Sequence, residues 1–159
     1  MGVLGGEAFA RSGASPRHNA VVMNTPATLL GRLKGKPCFP LGSDQKVATT
    51  ATGAFHYPDV TIVCGKPRYS PKDENAITNP TILIEVASPS TSDYDRGAKF
   101  DHYATIPDLA ELVVIFTDTR RVEHRKRAGD GQWLITHLVG GEVRLERLGI
   151  TLPLDAVYA

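Results

Sequence analysis

Glu85 is the residue that asks for an explanation. It stands in Thr81-Ile82-Leu83-Ile84-Glu85-Val86-Ala87, a run apolar nearly throughout. An unpaired buried charge is costly, so a carboxylate there either shifts its acidity or finds a cation. Asp59 is a second such carboxylate, directly after Pro58, where proline takes the chain out of regular strand pairing. Two hard oxygen ligands at neighbouring strand ends, with positions left for water and a substrate oxygen, are the minimum for holding Mg²⁺ near a phosphate. The same residues are also satisfied by two separate ion pairs, each carboxylate with its own Arg or Lys. A glycoside hydrolase would use two carboxylates as well, but a single Trp and 7% aromatics offer no sugar-stacking platform.

The elements that must position this pair follow from periodicity and punctuation. Residues 81–87 predict a central strand covered on both faces. Ser88-Pro89-Ser90-Thr91-Ser92-Asp93 ends it and supplies N-cap candidates for a helix to about Tyr103, closed by Ile106-Pro107. Lys99 lies on that helix, four residues after Asp95, the spacing of an ordinary surface ion pair. Upstream, Ser15-Pro16 reads as a cap and first helical residue, with Val21, Val22, Leu29, Leu30 and Leu33 at helical spacing. That helix spans 16–33, with Pro26 expected to kink or break it. Strand-like pieces follow at 38–41, 45–50 and 57–64, with a hairpin turn at Thr52-Gly53 and a polar loop over 66–80. Another apolar strand at 112–116 precedes pieces at 122–127, 132–139 and 142–145, which predict a C-terminal β meander.

A chain of 159 residues with 42% hydrophobic and 22% charged residues predicts one folded domain over 1–159, of α/β (α+β) class. No run approaches the ~18 apolar residues of a membrane span, and Met1–Arg11 lacks the pattern of a secretory signal, so the expected location is the cytoplasm. Cys38 and Cys64 are expected as buried free thiols. A net charge of +1 leaves polyanion binding to local patches, and carboxylates concentrate in residues 58–111, with 9 acidic against 5 basic groups. Residues 120–127 hold six groups able to carry positive charge. They either neutralise phosphates or protect an edge strand, and alternation sends them to both faces. Tyr103 is expected as a core or rim aromatic, and Trp133 as a core or dimer-interface residue.

Tyr57-Pro58-Asp59-Val60, Glu85-Val86-Ala87-Ser88-Pro89-Ser90-Thr91 and the segment from Asp95 to Tyr103 with Lys99 together resemble the Uma-type restriction endonucleases of the PD-(D/E)XK nuclease superfamily. The resemblance extends from Gly13-Ala14-Ser15-Pro16-Arg17-His18-Asn19 to the strand 112–118. It implies a restriction endonuclease-like mixed β-sheet flanked by helices, a homodimer, and hydrolysis of phosphodiester bonds in DNA. It also implies Asp59 and Glu85 as ligands of Mg²⁺ or Mn²⁺, completed by a lysine. The superfamily lysine falls two residues after the glutamate, where this chain has Ala87, and Lys99 is the candidate that replaces it from the helix. Arg17 and His18 are candidate phosphate contacts. Relatives carry an additional N-terminal helix with an acidic residue before Gly6-Glu7, so a weakened or inactive nuclease-fold module for nucleic-acid binding or dimerisation is the rival expectation.

Overall fold

The computed structural model describes residues 14–88 and 93–159. The cap candidates Ser90, Thr91 and Ser92, together with Gly13 and the readings made on residues 1–12, lie outside the described residues.

Ser15 accepts a hydrogen bond from the His18 N–H and starts helix α1 (Pro16–Arg32), with Pro16 in the first turn. The break expected at Pro26 does not occur. Val21, Thr25 and Leu29 are buried along one stripe, and burying Leu29 and Leu33 beyond the proline offsets the lost hydrogen bond.

Four short strands follow: β1 (Cys38–Leu41), β2 (Lys46–Thr49), β3 (Ala54–His56) and β4 (Val60–Cys64). Strands β2 and β3 form the expected hairpin, with Gly53 at φ +73° accommodating the turn. The segment 66–80, expected as loop, instead contributes β5 (Tyr69–Ser70) and β6 (Asp73–Ile77). Asp73, Glu74 and Asn75 disguise β6 because only its last two residues, Ala76 and Ile77, are buried. The central strand β7 (Ile82–Ala87) leads to helix α2 (Asp93–Tyr103), and β8 (Glu111–Phe116), β9 (Arg121–Gly129) and β10 (Gln132–Leu138) form the antiparallel meander. Strand β11 (Glu142–Leu145) leaves that sheet to pair with β12 (Ile150–Pro153), before the short helix α3 (Leu154–Val157).

The main sheet has the order β1-β4-β7-β8-β9-β10, with β7 and β8 parallel and the other neighbours antiparallel. The order β3-β2-β6-β5 makes a second, four-stranded sheet. Period-2 alternation divides the main sheet's core in two. Ile82, Ile84 and Val86 pack with Val113, Ile115, Val21 and Leu29 on the α1 face. Leu83 and Ala87 pack with Leu112, Val114, Phe116 and Tyr103 on the α2 face.

The cysteines are not free thiols. Register places Cys38 directly opposite Cys64 across β1 and β4, with Cα atoms 4.0 Å apart, and the two form a disulfide. A separation of 26 residues gave no sign of this, because pairing register is a tertiary property.

Candidate functional site

Glu85 points to the α2 face, in step with Leu83 and Ala87. Antiparallel pairing of β4 with β7 runs from Ile62↔Ile82 to Val60↔Ile84. One step further, that register brings Asp59 level with Glu85. Regular pairing stops there, as Pro58 requires, and the Asp59 side chain takes over the ladder: its Oδ2 accepts the Val86 N–H at 2.7 Å. The two carboxylates, 26 residues apart in the chain, therefore meet at the ends of adjacent strands.

Helix α2 supplies the surroundings of Glu85. The Tyr103 hydroxyl donates to Glu85 Oε2 at 2.5 Å, and the Lys99 Nζ lies 3.7 Å from Oε1. Tyr103 is 1% exposed and Lys99 44% exposed. A small pocket of about 50 Å³ opens here, lined by Glu85, Ala87, Arg96, Lys99 and Tyr103 among others. Ala87 leaves the pocket wall without a cation at its own position, and Lys99 approaches Glu85 from the helix instead.

Electrostatics follow from this placement. Burial pushes Glu85 up to about 7, assisted by the charge of Asp59 and opposed by Lys99 and the Tyr103 hydroxyl. Burial also raises Asp59, against the Val86 N–H and the nearby His18 and Lys99. Tyr103 is held well above its ordinary range by burial and by the Glu85 charge, so it remains a hydroxyl donor. Sequence reasoning placed Tyr103 outside the chemistry; its spacing of four residues from Lys99 was the available signal. His56 was also missed. Burial, then the charges of His102 and Lys99, lower it to about 4, and its neutral ring packs on Tyr103 with centroids 5.0 Å apart.

Among the described residues, no cluster of three or more His, Cys, Asp or Glu stands ready to hold a metal. Two carboxylates at neighbouring strand ends, one of them lining a pocket, still match Mg²⁺ or Mn²⁺, which would complete an octahedron with waters and phosphate oxygens. They do not match a structural zinc site, which needs four protein ligands.

Other sequence candidates divide clearly. The Arg17 Nε donates to the Thr117 carbonyl at 3.1 Å and its guanidinium lies over Tyr158, so this side chain is anchored. His18 stands in the first turn of α1, close enough to Asp59 to favour its charged form, with Nδ1 buried and lacking a hydrogen-bond partner among the described residues. The basic run is absorbed by the fold. Arg125 stacks on Phe100 and pairs with Glu123, Arg127 stacks on Trp133 and caps the Leu109 and Ile106 carbonyls, and Lys126 pairs with Glu146. Trp133 meets Phe100 edge-on against the α2-face core.

Known proteins resemble this chain over most of its length. The Uma2 family model, described as "Putative restriction endonuclease", matches residues 3–155. The uncharacterized protein sll1609 of Synechocystis sp. is 33% identical over 141 residues, covering 89% of this chain and 80% of that protein. A second protein of that organism, slr1290, is 30% identical over 154 residues, covering 96% and 80%. Among solved structures, a "putative nuclease belonging to DUF820" from Anabaena variabilis ATCC 29413 superposes with a TM-score of 0.72 at 12% identity, covering 91% of this chain and 81% of that one. The fold is thus the restriction endonuclease-like one.

Proposed function

Since the chain belongs to the Uma2 family, we propose that it is a divalent-metal-dependent nuclease hydrolysing phosphodiester bonds in DNA, with Asp59 and Glu85 as the metal ligands. The reading rests on one observation above all: strand register brings Asp59 level with Glu85, and a lysine from α2 reaches Glu85 where it lines a pocket. A Mg²⁺ or Mn²⁺ ion held there would polarise a phosphoryl oxygen and lower the pKa of a bound water. The protein's own part is to hold both carboxylates at neighbouring strand ends and to keep Lys99 beside the position where negative charge develops. The first turn of α1, with His18 and the anchored Arg17, would approach the phosphate backbone next to Asp59.

The proposal includes a homodimer, supported by the outer strand β10, whose sequence Gln132–Leu138 has no Asp, Glu, Lys or Arg and exposes Leu134 and Ile135. It also includes a cytoplasmic location, with DNA as the partner. No helix among the described residues is long and apolar enough to cross a membrane. The Cys38–Cys64 disulfide weighs against the cytoplasmic part, because reducing conditions there oppose disulfides, and its recovery intact from cells overturns the location.

Isothermal calorimetry with Mn²⁺ on the wild type, Asp59→Ala and Glu85→Ala tests the centre directly. Binding in the wild type and its loss in both variants is the expected outcome; equal affinity in all three removes the metal site. Ala87 favours a second reading, a nuclease fold that binds nucleic acid without cleaving it. Plasmid nicking decides between them: metal-dependent nicking abolished by Glu85→Ala supports the enzyme, and duplex binding without nicking under Mg²⁺ or Mn²⁺ supports the module.

A further inference from the structure

Each of the two carboxylates has one oxygen already engaged by the protein. Glu85 Oε2 accepts the Tyr103 hydroxyl at 2.5 Å, and Asp59 Oδ2 accepts the Val86 N–H at 2.7 Å. Neither donor can withdraw easily. The Val86 N–H belongs to the central strand, and Tyr103 is 1% exposed with the His56 ring against its edge. Lys99 lies on the remaining side of Glu85, at 3.7 Å from Oε1, on a flexible and half-exposed stem that can swing aside.

Resting on the metal-site reading above, we propose that Tyr103 is a positioning residue that makes Glu85 a one-oxygen ligand and so biases the site toward small octahedral cations and against Ca²⁺. Mg²⁺ takes carboxylates one oxygen at a time in a strict octahedron at about 2.0–2.1 Å, and Mn²⁺ shares the octahedral preference. Ca²⁺ seeks six to eight oxygens and gains from bidentate carboxylates. With two protein carboxylates at the site, bidentate binding is the means by which Ca²⁺ would fill its larger shell. The committed Oε2 of Glu85 and Oδ2 of Asp59 both oppose it. Of the two donors, only the Tyr103 hydroxyl belongs to a side chain and can be deleted without touching the backbone.

The test is calorimetric titration of the wild type, Tyr103→Phe and Glu85→Ala with Mn²⁺ and with Ca²⁺, together with the thermal midpoint of each protein. The phenyl ring preserves the packing and removes the hydroxyl, so Tyr103→Phe is expected to bind both ions with the ratio of Ca²⁺ to Mn²⁺ affinity raised about tenfold, the scale of an outer-shell contact to a metal ligand. Tyr103→Met, which fills the space flexibly and also lacks the hydroxyl, must shift the ratio the same way; it carries the measurement if the phenylalanine variant folds poorly. An equal loss of affinity for both ions, or an unchanged ratio, overturns the proposal while leaving a Glu85-dependent site standing. Binding that survives Glu85→Ala, or no binding in the wild type, overturns the metal site itself and this proposal with it.

Discussion

Two carboxylates lie on opposite faces of the main sheet, one fully buried and one half-buried, and the protein treats them differently. Glu111, on the α1 face at the start of β8, is fully buried with both oxygens taken: Oε1 by the His124 Nε2 at 2.6 Å and Oε2 by the Arg147 N–H at 3.1 Å. Glu85, on the α2 face, keeps one short hydrogen bond, a longer approach from Lys99 and an adjoining pocket. A buried charge that is fully satisfied locks structure in place. One left partly satisfied has room for a further cation, and that is why the proposed metal site is built on Glu85 and not on Glu111.

The comparison is broken most forcefully at Glu111. Glu111→Ala leaves His124 and the Arg147 N–H buried without their acceptor, so unfolding in urea is expected to show a loss of about 3–5 kcal/mol. Mn²⁺ affinity of the folded protein should be unchanged. The next effect concerns Glu85 and pH in the presence of a chelator. Its folded value of about 7 lies above the ordinary 4.5, so the folded state holds a proton that the unfolded chain releases first. Stability therefore falls as pH rises from 4.5 through 7, by about 3 kcal/mol in all, with half-buried Asp59 acting in the same direction. Denaturation at stepped pH measures the slope, and Glu85→Gln should flatten most of it. The smallest effect is on folding at Lys99. Because the ammonium is 44% exposed, Lys99→Met should change stability by less than ~1 kcal/mol while slowing the proposed DNA hydrolysis by on the order of 10²-fold or more, the scale of one lost electrostatic contact. A plasmid assay beside a melting curve separates the two.

These residues also show how much the sequence could reveal. Strand β7 was legible because its apolar run admits few other structures, and Glu85 stood out within it as the single violation. Glu111 was overlooked because it begins its strand, where a carboxylate looks like a boundary, and only tertiary pairing with His124 buries it. The strands of 66–80 escaped for a related reason: β6 turns its acidic residues to solvent and hides just Ala76 and Ile77. Asp59 was legible as a carboxylate where proline ends regular strand pairing, but its capture of the Val86 N–H depends on register and could not be anticipated. Tyr103 shows the same limit, since an aromatic on a helix face is ordinary until the strand beneath it is known to carry an acid.

Lys99 and Tyr103 reach Glu85 from a single helical stripe, and this ties the surroundings of Glu85 to an integer. A residue inserted between positions 99 and 103 would rotate one of the pair by about 100° around the α2 axis, turning either the ammonium or the hydroxyl toward solvent. Length variation among relatives is thus expected before position 93 or after position 103, and seldom between the two contacts.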